Sequence, residues 1–146
     1  MRKVILFTIL VLAASLQYSD AQCKKVAKKC LPSLTPYIYT GQLNSTTLFE
    51  GESAELVMTF TGGQQYRVLA CASDNLGAVS VVILDSKRKV VFNNKDHNGS
   101  PSWDLRIGAT DDYTIQIGVP ASTTNKAGNI EQSGCVAVLV GFRNVE

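Results

Sequence analysis

Histidine is almost missing from this sequence, because His97 is the only one among 146 residues. A zinc site, or a serine or cysteine hydrolase, would have to be built on that single imidazole. The motifs of the Walker loop, the dinucleotide fingerprint and the HExxH zinc protease are absent as well. These absences exclude the common nucleotide-dependent and zinc-dependent enzyme classes, and we expect neither catalysis nor a resident cofactor.

The sequence also lacks an excess of one charge and a second long apolar run. Lysine and arginine number 14 against 12 acidic residues, and the formal net charge is +2. A general nucleic-acid binder usually carries a strongly basic face, so we expect no nucleic-acid partner. Beyond the N-terminal region no apolar stretch approaches the ~20 residues of a membrane-spanning helix, so the mature chain is expected to have no transmembrane segment.

Residues 1–21 have the layout of a secretory signal peptide. A basic start at Arg2 and Lys3 precedes an apolar run, and small residues of a cleavage site end at Ala21. A transmembrane anchor is the rival interpretation, but the run is shorter than a bilayer requires. The sequence therefore predicts a secreted or periplasmic protein of one domain.

From about Thr40 onward, apolar and polar residues alternate in short segments with polar turns between them. Alternation with a period of two is typical of half-buried strands. Short strands separated by turns predict an all-β fold: an antiparallel, jelly-roll-like β-sandwich of about eight strands over residues 34–146. The alternating segments are 54–60, 66–72, 79–83, 90–92, 103–107, 113–119 and 136–142.

The one helical pattern lies in residues 22–33. Cys23, Val26, Ala27 and Cys30 have the spacing of one helix face, and lysines occupy positions between them. This pattern predicts a short amphipathic helix with both cysteines on its apolar stripe. Pro32 disfavours helix at the preceding residue and should end it.

Four cysteines in an exported domain predict two disulfides, and the sequence allows several pairings. Cys23 and Cys30 would lie ~10.5 Å apart along a helix, beyond the ~7 Å between Cα atoms that a disulfide tolerates. Cys71 and Cys135 are out of phase with the core-facing residues of their strands. We expect the helix to cover that outer face, with each helix cysteine bonded to one strand cysteine. The alternative is a single bridge between Cys71 and Cys135.

Residues 94–99 resemble the opening of a calcium loop. Asn94, Asp96 and Asn98 place oxygen ligands at alternate positions before a glycine. The twelfth position of such a loop would be Leu105 rather than a bidentate glutamate, and an ordinary polar turn explains the same residues. These three residues form a candidate calcium site.

Two further groups of residues are candidates for a binding surface. Tyr37 and Tyr39 share one face of an extended segment and could offer an exposed aromatic platform, although packing is the commoner use of such a pair. A basic cluster on the helix could contact an acidic glycan, a membrane surface or a protein, although it is also what a solvated helix face looks like. Its members are Lys24, Lys25, Lys28 and Lys29.

The stretch from Gly41 to Phe142 resembles the bacterial pre-peptidase C-terminal domain, a small β-sandwich. The resemblance implies the fold and an accessory or binding role, and it implies no catalytic residue. Leu76-Gly77-Ala78 stands where the family often has paired aspartates, and no protease is attached. The whole chain also looks like small exported bacterial proteins. The matching segments are 41–43, 54–60, 63–68, 81–85, 90–92 and 112–117.

These observations together predict an exported, non-catalytic binding or interaction module with a protein or glycan partner at the bacterial cell envelope. A structural subunit of an envelope assembly is compatible with the same features. A small hydrolase that pairs His97 with a nearby serine is the catalytic alternative.

Overall fold

The computed structural model describes residues 18–121 and 131–144, and within them it is a sandwich of two antiparallel sheets preceded by one helix. Short 3-10 turns at Leu31–Leu34, Asp74–Leu76 and Asn94–His97 connect some of the elements. The elements in chain order are α1 (Tyr18–Cys30), β1 (Ile38–Tyr39), β2 (Asn44–Phe49), β3 (Ser53–Phe60), β4 (Gln64–Ala72), β5 (Ser80–Leu84), β6 (Val90–Asn93), β7 (Ser102–Ile107), β8 (Asp111–Gly118) and β9 (Ser133–Asn144).

The strand order is that of a jelly roll. Sheet A has the order β1-β9-β4-β7, and β2 also pairs with β9 beyond the end of β1. Sheet B has the order β3-β8-β5-β6. Apart from the β5–β6 hairpin and the edge strands β1 and β2, successive strands lie in different sheets, as in two interleaved Greek keys, which confirms the predicted fold class.

The main core lies between the two sheets and consists of the inward members of the alternating segments. Phe60, Val68, Ile83, Ile115 and Val140 are each no more than 1% exposed. Burial of side chains of this size contributes roughly 1.5–3 kcal/mol each. The seven alternating segments found in the sequence all contain strands, so the period of two located them correctly.

Strands β1 and β2 are not visible as alternating segments in the sequence. Within Asn44–Phe49 only Leu48 is buried, because β2 is the edge strand of sheet A and its other side chains are polar or exposed. β1 has only two residues, which pair with Phe142 and Gly141. Backbone pairing to β9 rather than burial of side chains defines both strands.

A second apolar cluster lies on the outer face of sheet A, under α1. Leu69, Cys71, Ala137 and Leu139 point away from the main core and are at most 3% exposed, because the helix and the turn after it cover them. The phase of the residues along β4 and β9 therefore predicted this covered outer face correctly. The helix side of the same cluster is formed by Val26, Ala27, Cys30, Leu31 and Leu34.

Two disulfides fix the helix on this face. Cys23 bonds Cys135 on β9, and Cys30 bonds Cys71 on β4. Each helix cysteine therefore bonds one strand cysteine, as the sequence predicts, and no Cys71–Cys135 bridge exists. α1 spans Tyr18–Cys30 within the described residues, so it ends three residues before the end of the predicted range 22–33.

The predicted cleavage site at Ala21 lies within α1, and most of the predicted signal peptide lies outside the described residues. The signal peptide therefore stays a prediction. Most of the polar segment between the last two alternating segments, residues 122–130, also lies outside them. Within residues 18–121 and 131–144, no helix has the length and apolar character needed to cross a membrane.

Candidate functional site

The four lysines of α1 form one exposed basic surface, the lysine face (Lys24, Lys25, Lys28 and Lys29). Cys23 and Ala27 are 4% exposed and face sheet A, whereas the four lysines on the other side of the helix are exposed to solvent. The sheet thus orients the helix and fixes which side carries the charge. The structure brings all four predicted lysines to one surface, as the helical pattern requires.

One of the four lysines has an acidic partner in the described chain. Lys29 Nζ lies 3.2 Å from both carboxylate oxygens of Asp74, in the 3-10 turn after β4. Both side chains are highly exposed, so the pair adds little to stability. Among the acidic side chains placed in residues 21–121 and 131–144, none lies within ion-pair distance of Lys24, Lys25 or Lys28, and all three lysines are exposed.

A groove of about 640 Å³ runs between α1 and the end of β4, directly beside the lysine face. Val26, Cys30 and Ala72 supply its apolar surface, and Lys25 and Lys29 stand along its edge. Apolar surface with a few charged groups at the rim is the usual composition of a site that recognises a ligand or a partner. The two disulfides hold both walls of this groove at a fixed separation, which lowers the entropic cost of binding.

Tyr37 is buried, so the expectation of an exposed pair of tyrosines is wrong. Tyr37 is 6% exposed and Tyr39 is half-buried, whereas Ile38 between them is 63% exposed. The Tyr37 ring lies between two guanidinium groups, with Arg67 Cζ 4.6 Å and Arg143 Cζ 5.0 Å from its centroid. Cation–π contacts hold the ring against sheet A, and neither tyrosine offers a free stacking platform.

Arg67 is the centre of a polar network that attaches the N-terminal segment to sheet A. Its guanidinium donates two hydrogen bonds to Asp104, of 2.7 and 2.9 Å, and donates to the carbonyl oxygens of Ser33 and Thr35 at 3.4 and 2.9 Å. Tyr37 Oη donates to the same carboxylate at 2.9 Å. The network therefore connects the turn after α1 to two neighbouring strands, β4 and β7.

The electrostatics of this network follow from its hydrogen bonds. The hydrogen bond from Arg67 lowers the pKa of the Asp104 carboxyl, although partial burial opposes the shift. Burial, and then the hydrogen bond to Asp104, raise the pKa of the Tyr37 phenol. Asp104 is therefore ionised and Tyr37 is neutral at physiological pH, which suits a structural network.

The candidate calcium residues do not converge on one point. Asn94 is 2% exposed, and its side chain accepts from Val81 N at 3.0 Å and donates to the Val79 carbonyl at 2.9 Å. Asp96 and Asn98 are exposed. Across the described ranges no group of three His, Cys, Asp or Glu side chains could hold a metal ion. The Asn94 amide serves the backbone beside β5, and calcium binding stays a prediction without geometric support.

His97 lies against aromatic rings rather than beside a nucleophile. Its ring centroid is 5.1 Å from Phe92 and 4.5 Å from Trp103, and these two rings stack on each other at 4.6 Å. A hydrolase of the serine type needs its imidazole within hydrogen-bonding reach of the attacking oxygen. In residues 18–121 and 131–144 His97 makes no such hydrogen bond, so nothing in the geometry supports the hydrolase alternative.

The sequence did not indicate the groove or the Arg67 network. Arg67 and Asp104 are directly opposite each other in the pairing of β4 with β7. Their contact depends on strand register, which the hydrophobic pattern leaves open for outward-facing residues. Asp74 lies next to the helix because the packing and disulfides of α1 place it against the end of β4.

Comparison with known proteins supports the fold and leaves the family open. No protein-family model and no curated protein sequence matches the chain. A solved structure with a similar fold is PliG from Aeromonas hydrophila, a periplasmic inhibitor of g-type lysozyme, with a TM-score of 0.52. The sequences are 11% identical, and the match covers 74% of this chain and 89% of that one. The resemblance to the pre-peptidase C-terminal domain stays a prediction.

Proposed function

We propose that this protein is an exported, non-catalytic binding module that docks an acidic surface of a partner protein at the cell envelope. The observation that carries the proposal is the lysine face beside the groove, on a helix held by two disulfides. Disulfides of this kind persist in oxidising compartments, which agrees with a secreted or periplasmic location. The bacterial source and the signal peptide are part of the same proposal.

The groove favours a protein over a glycan as the partner. Carbohydrate sites usually stack sugar rings on exposed aromatic side chains, but Tyr37 is buried and Tyr39 half-buried. The groove is instead lined by the apolar side chains of Val26, Cys30 and Ala72 and by polar ones, with Lys25, Lys29 and Asp74 among them. Such a surface matches a protein patch in which an apolar side chain is surrounded by carboxylates.

Three exposed lysines on one rigid face should steer an acidic partner to this side of the molecule. Complementary charge raises the association rate and selects the orientation of the encounter, and salt screens the effect. The charge does not act through net charge alone, because the whole chain is close to neutral. The test must therefore vary the position of the lysines on the surface and keep the net charge constant.

The test compares two variants with the same change in net charge. Lys24→Gln/Lys25→Gln/Lys28→Gln removes three exposed charges of the lysine face, whereas Lys87→Gln/Lys89→Gln/Lys95→Gln removes three exposed lysines elsewhere. The probe is a fluorescent glutamate-rich peptide, measured by anisotropy at low salt. We expect the first variant to bind about tenfold more weakly, because three exposed contacts of about 0.5 kcal/mol each are lost.

The control variant should keep the affinity of the unchanged protein for the peptide. Equal weakening in both variants would mean that overall charge, and not the lysine face, attracts the peptide. A polyuronate serves as the second probe. Binding of the polyuronate without binding of the peptide would contradict a protein partner and favour an anionic glycan.

The fold shared with PliG motivates a second assay. PliG inhibits g-type lysozyme, and its likeness to this chain lies in the fold alone. Addition of this protein to a g-type lysozyme, with lysis of cell walls as the readout, determines whether such an enzyme is the partner. Inhibition that disappears in the Lys24, Lys25 and Lys28 variant would identify the partner and the surface together.

A further inference from the structure

A second concave site lies between the two sheets, on the side of the sandwich formed by β2 and β3. These strands belong to different sheets and do not pair with each other, so the edge of the core lies between them. The cleft has a volume of about 450 Å³, within the range of small-molecule sites. Its floor consists of core side chains, namely Leu48, Leu56, Ile115, Ile117, Val136 and Val138.

One polar atom in this apolar cleft has no partner. Asn44, at the start of β2, lines the cleft, and its Nδ2 is buried without a hydrogen-bond acceptor within the described chain. The other end of the amide is occupied, because Gln42 Nε2 donates to Asn44 Oδ1 at 3.4 Å. A buried donor without an acceptor is destabilising and uncommon in folded proteins. An acceptor oxygen on a bound molecule would satisfy it.

The charge around the cleft limits the kind of molecule that fits. Among the described residues that line it, Glu55 is the only ionisable one, and no lysine, arginine or histidine belongs to them. Glu55 accepts hydrogen bonds from Arg88 and Gln116, which lower the pKa of its carboxyl, so it is ionised. A ligand carboxylate would enter an apolar cleft with no cation to pair with, at a large desolvation cost.

We infer that this cleft binds a small neutral molecule with an apolar body and one hydrogen-bonding oxygen, such as an alcohol, ester or amide. The apolar body contacts the floor of core side chains, and the oxygen accepts from Asn44 Nδ2. The site is separate from the lysine face, which lies on the outer side of sheet A. Its occupancy is therefore independent of the proposed partner.

Isothermal titration of the oxidised protein with 1-octanol and with octanoate at pH 7 tests the inference. The two probes share one chain length and differ in charge. We expect 1-octanol to bind and octanoate to bind at least about tenfold more weakly, because its charge would be buried unpaired. Absence of octanol binding, or equal binding of the two probes, would overturn the inference.

Two variants locate the binding. Asn44→Ala should weaken 1-octanol about fivefold, the usual effect of one lost hydrogen bond, without lowering the thermal midpoint. Ala54→Trp places a large side chain in the cleft and should abolish binding. Val57→Trp is the matched control, since Val57 lies on the same strand but is 62% exposed and outside the cleft. If the Ala54→Trp variant bound 1-octanol as tightly as the unchanged protein does, the ligand could not lie in this cleft, and the inference would be wrong.

A measurement on the unsubstituted protein keeps the test valid if Ala54→Trp does not fold. Methyl chemical shifts of the oxidised protein should change on addition of 1-octanol at Leu56, Ile115 and Val138, which line the cleft. The methyl groups of Leu69 and Leu139, under α1, should not respond. Changes spread evenly over both clusters would indicate nonspecific partition of the alcohol and would contradict the site.

Discussion

Replacement of Cys23 and Cys135 together by alanine is expected to lower the free energy of unfolding by about 4 kcal/mol. The disulfide closes a loop with a sequence separation of 112 residues, and the chain-entropy relation assigns about 4.8 kcal/mol to a loop of that length. Real disulfides usually contribute somewhat less than this relation gives. Because this loop is the longer of the two that disulfides close, its loss should destabilise the protein more than the loss of the other bridge.

The second disulfide provides the matched comparison. The pair Cys30 and Cys71 closes a loop with a separation of 41 residues, so Cys30→Ala/Cys71→Ala should cost about 1 kcal/mol less than the first variant. Both pairs join α1 to sheet A, so the packing changes are of the same kind. Urea denaturation followed by circular dichroism measures both free energies. A loss below about 1 kcal/mol in the first variant would contradict the idea that the helix is fixed by these bonds.

The consequence for function follows from the position of the helix. α1 is too short to be stable alone, and its apolar stripe covers Leu69 and Leu139. Without the disulfides, the lysine face would lose its fixed orientation to the groove. We therefore expect the variants to bind acidic probes more weakly even where they still fold.

Replacement of Arg67 by methionine is expected to cost about 2 kcal/mol of stability at pH 7, since it removes charged hydrogen bonds of 2.7 and 2.9 Å to Asp104. The side chains are 22% and 36% exposed, so solvent screens part of the interaction and the expected loss stays in the lower part of the range for such bonds. Methionine keeps most of the apolar stem, so the loss reports on the guanidinium.

The stability that the Arg67–Asp104 pair contributes should decrease at acidic pH. The pKa of Asp104 is lowered in the folded protein, so the pair stabilises the fold above the unfolded pKa of about 4 and loses that contribution as the pH falls through the folded pKa. The difference between the unchanged protein and Arg67→Met should therefore shrink below about pH 4. Urea midpoints from neutral to strongly acidic pH measure it. A difference that stays constant with pH would contradict ionised Asp104 as the partner.

Asp104→Asn and the double variant complete a thermodynamic cycle. If Arg67 and Asp104 act mainly on each other, the second substitution should add little to the first. Fully additive losses would mean that Arg67 stabilises the protein mainly through the carbonyl oxygens of Ser33 and Thr35.

The sequence predicted the parts of the fold that depend on local periodicity. The alternating segments located the strands of the core, and the phase of Cys71 and Cys135 placed both on the outer face of sheet A. The choice of which strand cysteine, Cys71 or Cys135, bonds Cys23 and which bonds Cys30 could not be made from this phase. It depends on the antiparallel pairing in which Cys71 lies opposite Ala137 on β9, and strand order is not contained in the period.

The features that the sequence did not predict all depend on contacts between segments that are distant along the chain. Tyr37 is buried because Arg67 and Arg143, distant in sequence, enclose its ring. Asn94 has the spacing of a metal ligand, but its amide satisfies backbone groups at Val79 and Val81. Strand β2 escaped notice because an edge strand needs few buried side chains. In each case a contact between distant segments determined the role of the residue.

A photo-crosslinking side chain at position 33 tests the central claim most directly. Ser33 is exposed and lines the groove beside the lysine face, and Lys87, in the turn between β5 and β6, is the control position. In the native host we expect a discrete crosslinked protein from position 33 and none from position 87. The crosslink should disappear when Lys24, Lys25 and Lys28 are replaced by glutamine. A crosslink that survives those substitutions, or equal crosslinking from both positions, would contradict docking through the lysine face.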